Sequence, residues 1–78
     1  MINGTTKISL RAARVNAGLT QDEAAEALSD YFGFRVSRQR VMQYEKNPSE
    51  TPAGFGHGFA TIYHIPLEGI NFLQSGQL

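Results

Sequence analysis

A chain of 78 residues is one domain, with room for a modest core but too short for most enzymes that work in a cleft between lobes. A hydrophobic share of 41% separates it from disordered chains; the lack of cysteine excludes disulfides and thiolate metal sites and fits a reducing cytoplasm; without a long apolar run, neither a signal peptide nor a membrane span is expected. Net charge is zero, which weighs against a nucleic-acid partner, yet all seven basic residues precede Asn47 and the segment 35–46 carries four of them against Glu45 alone, a local +3.

Met1 to Thr6 holds Asn3-Gly4 and Thr5-Thr6 with little apolar content, and it is expected to be a flexible N-terminus. Ser9 can cap a first helix running from Leu10 to about Ala17 and closed by Gly18. Leu10, Ala13 and Ala17 form its inner stripe, with Leu19 packing at the exit. Arg11 faces outward, as a solvated charge or a phosphate contact.

Thr20-Gln21-Asp22-Glu23 has the form of a capping box: the Thr20 hydroxyl accepts from the Glu23 amide while the Glu23 carboxylate reaches back to the Thr20 amide. A second helix therefore starts at Gln21. Ala24, Ala25, Leu28, Tyr31 and Phe32 recur on one side of a helical period, and Gly33 supplies the positive φ that ends the helix. Ser37 then caps a third helix, Arg38 to about Asn47, with Val36 stapled onto Val41. At about 100° per residue, Tyr44 and Glu45 share the buried side with Val41, while Gln39, Gln43 and Lys46 fall opposite. Met42 and Arg40 sit on the shoulders, and Arg38 in the first turn can project past the helix end. Two capped helices around a turn, the second with Arg, Gln and Lys outward, have the layout of a helix-turn-helix reader. Arg pairs bidentately with guanine and Gln with adenine in a major groove. An ordinary solvated helix face has the same composition.

Asn47-Pro48-Ser49-Glu50-Thr51-Pro52 is a loop, since its prolines forbid a helix interior. Asn47 either donates to a phosphate or caps the third helix. Thr51 and Pro52 then read as N-cap and first residue of a fourth helix, in which Phe55, Phe59 and Ile62 sit at helical spacing. Its three glycines, Gly54, Gly56 and Gly58, each cost a helix ~0.8–1 kcal/mol relative to alanine, so burial of the Phe rings must hold it together. The small residues can let another helix approach closely. A phosphate cradle would need a preceding strand and a following Lys-Ser/Thr, and neither is present. His57 and His64 lack carboxylate or thiolate partners in register, so no metal site is expected. No nucleophile stands with a base, and no cofactor or small-molecule ligand is implied. The chain is not expected to be an enzyme.

Leu10-Arg11, Arg14, Gly18-Leu19-Thr20-Gln21, Ala25, Leu28, Val36-Ser37-Arg38, Val41 and Tyr44-Glu45 resemble the pattern of the lambda-repressor and Cro-like helix-turn-helix family. The resemblance covers roughly Leu10 to Leu73, strongly up to Asn47. It implies an all-α, five-helix fold in a single domain over residues 1–78, of phage or mobile-element type. It also implies that Arg38, Gln39 and Gln43 face bases, that Gln21 donates to a phosphate, and that Arg14 and Glu45 form a structural ion pair. Met42 is grouped with the base-facing side chains, and Arg35, Arg40, Lys46 and Asn47 with Gln21 as phosphate contacts, although Arg35 reads equally as an exposed loop arginine. The chain departs from the pattern between Leu28 and Val36, where six residues are extra. Four add a turn to the second helix, and Phe34-Arg35 lengthens the loop. Ile65 to Leu73 is similar to the family's fifth helix, starting near Pro66. Its apolar residues Leu67, Ile70, Phe72 and Leu73 are too many for one side of so short a helix. Ile70, Phe72 and Leu73 are therefore expected at a two-fold dimer contact, unless they close the core. Gln74 to Leu78 is expected to be a flexible tail.

The expectation is a sequence-specific binder of double-stranded DNA, a small cytoplasmic transcriptional regulator that represses as a homodimer. The alternative is a protein-interaction module of antitoxin or adaptor type on the same scaffold, which the zero net charge and the insertion favour.

Overall fold

The computed structural model describes residues 7–73; the expectations for the flexible N-terminus, 1–6, and the tail, 74–78, lie outside them. Four α-helices dominate: α1 (Leu10–Asn16), α2 (Gln21–Phe32), α3 (Arg38–Lys46) and α4 (Ala53–Ile62). Two short strands, β1 (Ile8–Ser9) and β2 (Ile70–Asn71), pair in parallel with Ile8 opposite Ile70 and Ser9 opposite Asn71. No helix among the described residues is long and apolar enough to cross a membrane.

The first three helices begin where local chemistry requires. The Ser9 hydroxyl accepts from the Ala12 amide at 3.0 Å, and that of Ser37 accepts from the Arg40 amide at 3.3 Å. At α2 both halves of the capping box form: the Glu23 amide donates to the Thr20 hydroxyl at 3.0 Å, and the Thr20 amide donates to the Glu23 carboxylate at 2.9 Å. Gly33, at φ 79°, ends α2 in the left-handed region as expected. The loop 47–52 contains a single 3₁₀ turn, Pro48–Glu50. α4 starts one residue later than the sequence predicts, with Pro52 rather than Thr51 in the cap position and no side-chain cap. The Thr51 hydroxyl is buried without a hydrogen-bond partner. Beyond α4, His64 takes φ 57° while the Ile65 amide donates to the Ala60 carbonyl at 3.1 Å and the His64 amide to that of Thr61 at 3.3 Å. That is a Schellman closure with histidine where glycine is usual.

The expected fifth helix is absent. Its place holds a 3₁₀ turn, Leu67–Gly69, followed by β2, so the described residues contain four α-helices. The physical reason lies in the spacing: Ile70 and Phe72 alternate at the period of a strand, which points both to one side of an extended segment. Ile70 is fully buried and Phe72 packs against the core. Asn71 ends the strand by accepting the Leu73 amide on its side chain at 2.9 Å.

The core is built from Leu10 and Ala13 of α1, Ala24, Ala25 and Leu28 of α2, and Val41 and Tyr44 of α3. Val36, Phe59, Ala60, Tyr63 and Ile70 complete it. Gly58 lets α4 approach α2: a Cβ there would lie 3.0 Å from Phe32 Cζ and 3.1 Å from Leu28 Cδ2. The expected inner stripe of α2 holds for Ala24, Ala25, Leu28 and Phe32, but Tyr31 is 46% exposed. Tyr31 lies about 100° from Phe32 around the helix, and Phe32 is the residue that faces α4.

Candidate nucleic-acid interface

Val41 and Tyr44 are buried against the body, which fixes α3 by one side and leaves Gln39, Met42, Gln43 and Lys46 exposed on the other. These four line a shallow groove with Asn47 along the outer surface of the helix. Six residues of α3 lie between the Ser37 cap and Tyr44, whose ring contacts Phe55 and Phe59, so the rod is anchored at its start and again near its end.

Other side chains constrain this face. Arg38, half-exposed, has its Nε 3.9 Å from Asp22 Oδ1, a solvent-facing pair of small energetic weight. The Arg40 guanidinium lies 5.5 Å from the centre of the Phe55 ring, a cation–π contact on the shoulder away from Met42. Gln43 donates to Glu50 at 3.5 Å, the outer limit of a hydrogen bond, so its amide is free to turn. Arg35 is exposed in the connection between α2 and α3, where it borders a second groove with Asp22, Glu26, Ser29, Arg38 and Gln39. Asn47 is half-buried as the C-cap of α3, its backbone amide donating to the Gln43 carbonyl at 2.9 Å.

Beneath the face lies a polar clamp. Arg14 Nε donates to Glu45 Oε2 at 2.5 Å and its Nη2 to Oε1 at 3.3 Å, while Nη1 donates to the Leu19 carbonyl at 2.9 Å. The pair joins α1 to α3 with both side chains largely withdrawn from solvent. Hydrogen bonding to Glu45 raises the Arg14 pKa further above its ordinary value, and burial acts in the opposite sense. Gln21 Nε2 also donates to Glu45 Oε1, at 3.0 Å. One of its two N–H groups is thereby spent inside the protein and one is left for an outside acceptor. Tyr63, stacked on Phe59, is buried near the pair, and burial pushes its phenol well above the ordinary tyrosine range.

Of the residues expected at a dimer contact, Ile70 is in the core, Phe72 is half-buried beside Gly56, and only Leu73, 74% exposed, faces solvent. The exposed apolar side chains instead include Tyr31 and Phe34, both in ring contact with Phe32 at the end of α2. Charge is also arranged differently from its order along the chain. The acids of α2 are distant in sequence from the basic segment, but Asp22 and Glu26 stand in the same groove as Arg35 and Arg38.

Sequence reasoning missed Ser29. Its hydroxyl donates to the Ala25 carbonyl at 2.8 Å and accepts the Val36 amide at 2.8 Å, pinning the connection that leads into α3. The signal was a serine inside a helix, one turn after a small residue and one turn before the glycine stop. Asp22, Glu50 and the Gln21–Glu45 bond had no local signal. Comparison with known proteins finds no matching family model, curated protein or solved structure.

Proposed function

We propose that this chain is a sequence-specific binder of double-stranded DNA, a small transcriptional regulator of lambda-repressor and Cro-like helix-turn-helix type, with α3 in the major groove. The observation that carries the proposal is the solvent-facing strip of Gln39, Met42, Gln43 and Lys46 on a helix whose opposite side is locked into the core. Arg38, Gln39, Met42 and Gln43 face base edges. Arg35, Arg40, Lys46, Asn47 and the remaining N–H of Gln21 face phosphates on either side. Two copies on a pseudo-palindrome set their α3 helices about one DNA turn apart, roughly 34–36 Å, and repress by covering a promoter in the cytoplasm of a phage or mobile-element host. Leu73 alone of the expected dimer residues is available to such a contact.

The test is a titration of a random duplex DNA pool at several salt concentrations, followed by selection of the bound sequences. Phosphate contact gives a steep inverse dependence on salt. Gln39→Ala is expected to lower discrimination at particular bases, whereas Gln21→Ala weakens all sequences alike. No salt-dependent binding, or the opposite pattern of the two variants, rejects the proposal.

A second reading, a protein-interaction module of antitoxin or adaptor type, rests on the exposed Tyr31 and Phe34 beside Phe32, together with zero net charge. It requires that DNA binding be absent while a partner protein protects these rings.

A further inference from the structure

The outer side of α3 is polar with one exception. Met42 is 41% exposed, and it lies in the same groove as Gln39, Gln43, Lys46 and Asn47. A long, flexible thioether among amides gains nothing from water and has no packing role in the core. Within a DNA major groove there is one apolar feature for it to meet, the C5-methyl of thymine; guanine, cytosine and adenine offer only donors and acceptors there.

Position on the helix strengthens the match. Met42 follows Gln39 by three residues, so those two side chains are neighbours on one face, and Gln43 lines the same groove. An A·T pair presents the adenine N6 and N7 edge, suited to a Gln amide, beside the thymine methyl on the same groove floor. A Gln and a Met in adjacent positions therefore address two parts of one pair or of neighbouring pairs.

We infer that Met42 reads a C5-methylated pyrimidine, thymine, next to an adenine read by Gln39 or Gln43, so that the recognised half-site carries A·T pairs opposite the middle of α3. This inference rests on the proposed DNA-binding function and names the chemistry that one part of the face selects. 5-Methylcytosine bears the same methyl group, and the test separates the two.

The probe is the consensus duplex selected from a random library, resynthesised with deoxyuridine replacing thymidine one position at a time, which removes a methyl and leaves every hydrogen-bonding edge unchanged. One methyl transferred from water is worth about fourfold in affinity. The wild-type chain is expected to bind about fourfold more weakly when uracil stands at one or two positions of each half-site. Met42→Ala, a change on the solvent side of α3 whose folding is checked by circular dichroism, is expected to bind both duplexes equally. Indifference of the wild type to uracil at every position overturns the inference, as does full uracil sensitivity in Met42→Ala. If every thymine tolerates uracil but C5-methylation of a cytosine in the consensus tightens binding about fourfold, methylcytosine is the occupant and the assignment to thymine is overturned. Absence of salt-dependent binding to any duplex rejects the DNA-binding proposal itself, a result distinct from binding without methyl sensitivity.

Discussion

Tyr63 brings a hydroxyl into the core where no acceptor or donor meets it. An unpartnered buried hydroxyl costs about 1–3 kcal/mol, so removing it while keeping the ring is expected to leave the protein at least as stable, with a gain on the order of 1 kcal/mol. The sign of the pH effect follows from the same burial. With its folded pKa raised, the phenol stays neutral in the folded chain while the unfolded chain ionises near pH 10, so wild-type stability is intact below that pH and declines above it. Tyr63→Phe lacks this contribution. Urea unfolding of both proteins at pH 7 and near pH 11 is expected to show the variant ahead at each pH and further ahead at the higher one. A variant clearly weaker at pH 7 would mean that the hydroxyl has a stabilising partner. At this scale the sequence discloses what acts within one helical turn. The caps Ser9, Thr20 and Ser37 were legible because donor and acceptor are three residues apart. Gln21 with Glu45, 24 residues apart, and Ser29 with Val36 across a turn depend on how the helices pack, and no pattern of residue types announces them.

Among the elements, α4 shows how tertiary packing overrides propensity. Its glycines are poor helix formers, yet they differ in what they permit: nothing lies near Gly54, whereas Gly58 is backed by the Leu28 and Phe32 side chains. Gly54→Ala is expected to raise stability by up to ~1 kcal/mol, the helix-propensity gain. At Gly58 the same gain is set against crowding that costs ~1–3 kcal/mol in a well-packed interior, so Gly58→Ala is expected to be neutral to clearly destabilising. Comparison of the two thermal midpoints decides the matter, and an alanine at 58 that matched or exceeded the one at 54 would show that α2 and α4 can separate freely. The period of Phe55, Phe59 and Ile62 was enough to indicate this helix, and its small residues the close approach. It was not enough at the C-terminal end, where β2 is two residues long and its partner, β1, lies near the other end of the chain. Alternation over Ile70 and Phe72 is too short to compete with helical spacing over Leu67, Ile70 and Leu73 when the sequence is read locally.

For the whole molecule, charge segregated along the chain is not segregated in space. The basic segment 35–46 carries a local +3, but the fold sets Glu26 and Asp22 of α2 in one groove with Arg35 and Arg38. On the proposed DNA-binding face these carboxylates oppose the phosphates that the cations attract, so non-specific affinity should be low and less dependent on salt than the cations alone would make it. Glu26 is the cleaner probe, because Asp22 also pairs with Arg38 and its removal changes that side chain as well. A unit charge ~7 Å from a phosphate interacts by ~0.6 kcal/mol in water, equivalent to about threefold in affinity. Glu26→Gln is therefore expected to bind every duplex about two- to threefold more tightly at low salt, with no change in base preference. The advantage should shrink as the Debye length falls from about 30 Å at 0.01 M to about 8 Å at 0.15 M salt. Fluorescence anisotropy with a selected and a scrambled duplex measures both effects. An unchanged affinity would place α2 away from the DNA and would require a docking in which α3 is not flanked by its acidic neighbour.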